Sequence, residues 1–474
     1  MTISSVRAAL AAAVALVFCC VPRIGQAATP FSSVRIVGPE RPAAIHQFAL
    51  GELSTAVERL PKSDAQNLRE LRIVAGDPGT NREVRRLTSR RLFAKAFARP
   101  ETRPEGYVLK FDGDKVLIAG SDASGTLYGV MDFIHYHLRG IWTGETKRLE
   151  VRDAPRLELR GIWSWGGRIY NYEMFFDQMA RWKMNLAIFW HAAVPKNATA
   201  IQEYAASRGV KLVWGFSWGW AEGTNWNSPD SIKQTEKIIL DSFEKQYASL
   251  KPFGIYFQSN TEGGAASGQG EKFVGLVNRA AAQILSKYPN LWISCGVHFS
   301  SFTQDYSVLR NIDPRLNIMY EDIASMPFTY GSLYLDPKAL EVCPKLAALR
   351  GRKEDIGYIF KGFNANCGGE DPQLIKDPAA LAKLTEAHPV DPGNERGWRD
   401  NLSHALQVLS NLEQSQAKRK AVTLLMEHGM WETRPWYPVC LAAEAMWNPD
   451  RPAEAMVKLL DGCDGVVSAG PRNP

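Results

Sequence analysis

From Asp153-Ala154-Pro155 onward the chain alternates short apolar segments with amphipathic ones, and this period constrains its fold more than any other feature. The apolar segments read as strands near 159–165, 185–191, 210–216, 254–258, 291–297, 316–320, 357–361 and 421–427. Segments with helical spacing separate them, among them 174–182, 199–207, 231–248, 271–286, 337–349 and 397–413. Strand and helix in strict alternation is the sequence form of a parallel sheet with crossover helices. Eight units, with no Gly-x-Gly-x-x-Gly turn or nucleotide-type loop after the first strand, predict a closed (β/α)8 TIM-type barrel rather than an open doubly wound sheet. We assign it residues 155–462.

A small α/β (α+β) domain is expected over residues 31–150. It opens with strand 34–37, a helix around 53–60 and a second strand at 71–74. Gly106-Tyr107-Val108-Leu109-Lys110-Phe111, the turn Asp112-Gly113-Asp114 and Lys115-Val116-Leu117-Ile118-Ala119-Gly120 then form a β-hairpin. Ser121-Asp122-Ala123-Ser124-Gly125 opens a helix carrying Leu127, Val130, Phe133 and Ile134 at helical spacing. This stretch superficially resembles a phosphate loop, but it lacks the Gly-Lys-Ser/Thr ending, so helix capping is its expected role.

At the start of the chain, Arg7 precedes the apolar run 8–21, and Gly25-Gln26-Ala27-Ala28 supplies small residues for cleavage. Residues 1–28 therefore read as a secretory signal peptide. The run is shorter than the roughly 20 residues needed to span a bilayer. An exported protein, periplasmic or extracellular and without a stable membrane anchor, is expected. Loss of Arg7 and Arg23 takes the formal net charge from +6 to +4. Basic residues are scattered among acids with no basic stripe, so no nucleic-acid partner is expected. Cys295, Cys343, Cys367, Cys440 and Cys463 remain after export, and their number and wide spacing fit neither a disulfide framework nor a zinc motif. Residues 463–474 end in Gly470-Pro471-Arg472-Asn473-Pro474 and read as a disordered tail.

Functional groups of such a barrel gather at the carboxyl ends of its strands. After the fourth strand, Gln258-Ser259-Asn260-Thr261-Glu262-Gly263-Gly264 places Glu262 before flexible glycines. The sixth ends in Tyr320-Glu321-Asp322, of which alternation directs only one acid inward. The eighth runs through Glu427-His428-Gly429-Met430-Trp431-Glu432. Cleavage of a glycosidic bond needs one carboxylic acid to protonate the leaving oxygen and a second carboxylate as base or nucleophile. Glu262 is the catalytic candidate for the first role, and Glu321, Asp322 and Glu427 compete for the second. The chain has 14 Trp residues, and a ring of them suits a carbohydrate substrate, whose CH faces pack on flat aromatic surfaces. The candidate substrate-binding residues are Trp163, Trp165 and Arg168 after strand one, Trp190 and His191 after strand two, Trp218 after strand three and Trp431 after strand eight. Lys361 and Asn364 after strand seven would hydrogen-bond hydroxyls or, with Arg168, pair with a sugar carboxylate. No His/Asp/Glu spacing recommends a metal, and no cofactor motif is present.

Two further segments carry a family resemblance. Residues 107–137, centred on Gly120-Ser121-Asp122-Ala123-Ser124-Gly125-Thr126-Leu127-Tyr128-Gly129-Val130, resemble the end of the small domain shared by glycoside hydrolase family 67 and the β-hexosaminidases. Arg156-Leu157-Glu158-Leu159-Arg160-Gly161-Ile162-Trp163 resembles the entry to the first barrel strand. The resemblance implies an α-glucuronidase-like glycoside hydrolase acting with inversion, its general acid after strand four at Glu262 and its base among later acids. The chain departs from the β-hexosaminidases in carrying Thr261-Glu262 where they have an Asp-Glu pair, and it lacks the long C-terminal helical region of family 67. A hexosaminidase-like glycosidase and a barrel that binds glycans without cleaving them are the alternatives.

Overall fold

The computed structural model describes residues 29–61, 69–88, 103–169, 171–191, 193–219, 223–258, 269–298, 307–321, 339–350, 354–364, 379, 392–428, 435–463 and 466. The expected signal peptide, residues 1–28, lies outside them, as does most of the expected tail. Cys463 and Val466, at the start of that stretch, are nevertheless buried against the barrel core. The described cysteines, Cys295, Cys440 and Cys463, are buried thiols.

The first layer is a five-stranded sheet in the order β1-β2-β4-β3-β5. Strands β1 (Phe31–Val37), β2 (Arg69–Gly76) and β4 (Lys115–Gly120) run parallel, while β3 (Tyr107–Asp112) pairs antiparallel with β4 and β5 (Arg148–Asp153). The β3–β4 hairpin forms where the sequence places it, with Asp112 still in β3 facing Lys115, so that Gly113-Asp114 alone make the turn. The helix after β1 spans Ala44–Glu58 rather than starting near residue 53. Its amino end carries no Ser, Thr, Asp or Asn to announce it; instead His46 Nδ1 accepts from the Ala43 N–H at 3.3 Å. The Gly120–Gly125 turn is a helix cap, as its sequence suggests: Asp122 accepts from Gly125 N at 2.7 Å at the start of helix Ala123–Asp132. Glycine is required at both ends of the turn, since a Cβ on Gly125 would lie 2.2 Å from Gly106 O and one on Gly120 2.1 Å from Thr126 N.

The second body is a closed barrel of eight parallel strands, β6 (Leu159–Trp165), β7 (Leu186–Trp190), β8 (Lys211–Gly215), β9 (Gly254–Gln258), β10 (Trp292–His298), β11 (Asn317–Glu321), β12 (Ile356–Asn364) and β13 (Lys420–His428). Both faces of every strand are covered, which is why the strands read as continuous apolar runs. One face packs outward on the helices through Phe189, Trp214, Phe257, Val297 and Tyr320. The other fills the interior with Trp163, Ile188, Val213, Tyr256, Trp292, Met319, Ile359 and Leu425, one from each strand.

The sheet docks on the barrel at the amino ends of β6 and β7. Arg160 donates to Glu105 at 2.7 Å, as does Asn185 at 2.8 Å. Deeper in the joint, Lys183 reaches Asp132 at 2.7 Å and Glu444 at 2.6 Å. These contacts leave the opposite end of the barrel to the site.

Candidate active site

Alternation decides which groups meet at the carboxyl ends of the strands. Met319 belongs to the interior cluster, so Glu321, two residues on, faces inward as well. Its carboxylate, with the residue only 6% exposed, accepts a short hydrogen bond from Gln258 Nε2. The same nitrogen donates to Tyr256 Oη at 2.8 Å. Gln258 and Tyr256 are two residues apart on β9 and therefore share one face. A residue with a side chain at 296 would close this arrangement: a Cβ there would sit 2.0 Å from Tyr256 Oη and 2.6 Å from Gln258 Cγ. Burial, followed by the Glu321 charge, pushes the Tyr256 phenol well above its ordinary value, so it remains protonated.

Aromatic rings continue from Tyr256 across the barrel. The Trp163 ring lies 5.9 Å from Tyr256, 6.3 Å from Trp190 and 5.2 Å from Trp165. Trp165 also meets Trp190 edge-on at 6.0 Å. Trp163 and Trp190 are buried, whereas Trp165, last in β6, is 37% exposed and presents ring surface to solvent. The structure thus brings together four of the residues singled out from sequence, Glu321, Trp163, Trp165 and Trp190. It adds Gln258 and Tyr256, which sequence reasoning passed over as strand filler. Their signal was the position of Gln258, a polar residue ending an otherwise apolar strand and sharing a face with a tyrosine.

Trp218 is a correction. It is fully buried, stacked on Phe257 at 3.9 Å and 6° between planes, and belongs to the outer core between strand and helices. Trp218 shares the parity of Trp214 and Phe216, which face outward from β8, and so lies on that side rather than at the mouth. His191 packs at the end of β7, its Nε2 3.2 Å from Tyr172 Oη and its ring 5.7 Å from Trp214. Burial lowers its pKa to about 4, which keeps it neutral above that pH. A Cβ on Gly166 would lie 1.7 Å from its Nε2, so the ring is wedged against the main chain after β6.

Glu262, Asp322 and Trp431 lie outside the described residues. The main chain of Arg168 belongs to a short 3-10 turn after β6, that of Lys361 and Asn364 to β12 and that of Glu427 to β13, while their side chains lie outside the described set.

A barrel preceded by such a sheet has counterparts among solved glycoside hydrolase structures. CpGH84B matches with a TM-score of 0.52 at 15% identity, covering 91% of this chain and 70% of that one. CpGH84D matches at 0.51 and 14%, covering 90% and 68%. A GH138 enzyme targeting pectin rhamnogalacturonan II matches at 0.51 and 12%; 90% of this chain is covered but only about half, 52%, of that protein. At these identities the likeness is one of fold. No family model matches the chain.

Proposed function

We propose that the chain is a glycoside hydrolase working at the carboxyl end of its barrel strands, with Glu321 as one of its two carboxylates. The observation that carries this reading is the carboxylate of Glu321, buried at the inner rim, held by Gln258 and connected through Tyr256 to the Trp163, Trp165 and Trp190 cluster. A fixed acceptor next to a flat aromatic surface fits a sugar ring packed on one side with a reacting centre on the other. The counterparts in fold, from families GH84 and GH138, support the same class. Gln258 fixes one Glu321 oxygen by a donated hydrogen bond, which suits the base or nucleophile role for Glu321 and leaves the acid role to Glu262.

For the sugar, we set a hexosaminidase-like substrate before an α-glucuronide. Export through residues 1–28 belongs to the same proposal, and N-terminal sequencing of the secreted chain should begin close to Ala27 or Ala28. A panel of nitrophenyl glycosides, including N-acetylglucosaminides and glucuronides, together with aldobiouronic acids tests the activity. On a cleaved substrate, Glu321→Gln and Glu262→Gln should each lower kcat by about 10²–10⁴-fold. Full activity in Glu321→Gln removes that residue from the chemistry. Binding of glycans without any cleavage by the wild type would replace the enzyme reading with that of a lectin-like barrel.

A further inference from the structure

The geometry points to Gln258 as the positioning residue of Glu321: its side-chain amide, braced on Tyr256, fixes one carboxylate oxygen and holds the group aimed into the barrel mouth. This rests on the reading of Glu321 as a reacting carboxylate.

Three features carry it. The first is the pair of hydrogen bonds from one nitrogen, Gln258 Nε2 to Glu321 Oε2 and Gln258 Nε2 to Tyr256 Oη at 2.8 Å. An ionised carboxylate can only accept, so the NH2 end of the amide, not its oxygen, must face it. Both amide hydrogens are then committed, and rotation of the side chain would break two bonds rather than one. The second is rigidity. Tyr256 is fully buried in the barrel interior, its ring packed near Trp163 and Trp190 at 5.9 and 6.3 Å, so the brace cannot drift. The third is the space the fold reserves. Gly296 on the intervening strand β10 leaves room for the Tyr256 hydroxyl and the Gln258 stem to pass toward β11.

An amide has a property at this place that a carboxylate lacks. It carries no charge and donates at every pH, so it holds the Glu321 oxygen under all conditions. A glutamate at 258 would instead offer an ionised acceptor where Glu321 needs a donor. A methionine of similar length would keep the packing and lose the donor.

The test uses the full chain and a glycoside that it cleaves. In Gln258→Met, which keeps the packing and removes the donor, kcat should fall at least tenfold with KM nearly unchanged, and in Gln258→Glu, which puts an acceptor in place of the donor, it should fall further. An unchanged kcat in both variants, in an enzyme that still melts at the wild-type temperature, overturns the positioning role and leaves the glycosidase reading standing. Failure of the wild type to cleave any glycoside sinks that reading instead; the hydrogen bond is then read from 13C-carboxyl-labelled glutamate at fixed pH, where a Glu321 resonance that moves in Gln258→Met supports the contact and one that stays in place overturns it.

Discussion

Gly296 shows how much of the site depends on a residue with no side chain. It sits on β10 opposite Gln258 in register on one side and Met319 on the other. A methyl group there would overlap the Tyr256 hydroxyl and the Gln258 stem, both held by the close-packed interior. Gly296→Ala should therefore push Tyr256 or Gln258 out of line with Glu321 and lower kcat at least tenfold, with a stability cost of about 1–3 kcal/mol from overpacking. Steady-state kinetics and a thermal melt check both, and unchanged kcat would mean that the Tyr256–Gln258–Glu321 alignment is not used. The glycine is inconspicuous in Ser294-Cys295-Gly296-Val297, because its role is defined by Gln258 and Tyr256, 38 and 40 positions earlier on β9. Glu321, by contrast, was legible: the alternation of β11 allowed one acid of Glu321-Asp322 to face inward, and Met319 shows that it is Glu321. Glu262 remains a proposal from its place after β9.

At the scale of elements, the barrel strands were readable almost residue for residue, because strands covered on both faces must be apolar throughout and helices between them must be amphipathic. β6 and β9 have the expected bounds, 159–165 and 254–258, and the other six differ by one to three residues at an end. The strand without a signal was β5. Its sequence Arg148-Leu149-Glu150-Val151-Arg152-Asp153 alternates charges along a sheet edge, where Lys110 meets Glu150 at 3.5 Å, and an edge strand of this kind reads as a polar connection. The tryptophans divide by the same logic. A Trp within a strand can be placed by parity, which turns Trp163, Trp165 and Trp190 inward, whereas Trp218 lies beyond the end of β8 and keeps the outward parity of Trp214 and Phe216. Two substitutions separate the classes. Trp165→Ala should raise KM for a glycoside several-fold and leave the melting temperature nearly unchanged, since its ring is partly in solvent. Trp218→Ala should cost about 3–5 kcal/mol by emptying the stack on Phe257. Equal effects of the two on KM would return Trp218 to the substrate side.

For the whole molecule, the joint between sheet and barrel is an ionic one, and its partners are far apart in sequence. Lys183, at the turn before β7, is buried between Asp132 of the first domain, 51 residues earlier, and Glu444 of a late barrel helix. Arg451 adds a bond to Glu444 at 2.9 Å and approaches Asp153 at 3.5 Å, Tyr136 donates to Glu444 at 3.1 Å, and Tyr107 donates to Asp132. In sequence Lys183 looks like a surface cation beside Arg181, so this clasp was illegible. Burial alone would push the Asp132 carboxyl up, but Lys183 and the hydrogen bonds from Lys183 and Tyr107 outweigh it and leave the group below its ordinary value; burial likewise works against the Lys183 ammonium, and Asp132 and Glu444 raise it above its own. Asp132 thus contributes stability above its unfolded value of 3.8 that is lost as pH falls through its folded value, and Lys183 contributes stability below 10.5 that is lost as pH rises through its folded value. Lys183→Met leaves two carboxylates facing one another without their shared cation and should cost about 3–5 kcal/mol at pH 7. His135 lies against the same joint, stacked on Trp182 at 4.7 Å, and burial lowers its pKa to about 4. Between pH 6.5 and 4 the unfolded chain binds a proton that the folded joint refuses, so stability falls as pH drops through that window, by about 3 kcal/mol for this one group. Thermal melts from about pH 7 to 4 should show that decline in the wild type and a shallower one in His135→Phe, which keeps a ring on Trp182 without the proton site. A parallel decline in both would mean that the acid sensitivity of the joint comes from Asp132 and its neighbours alone, and Lys183→Met melting like the wild type would mean that the clasp adds nothing to the union of the two bodies.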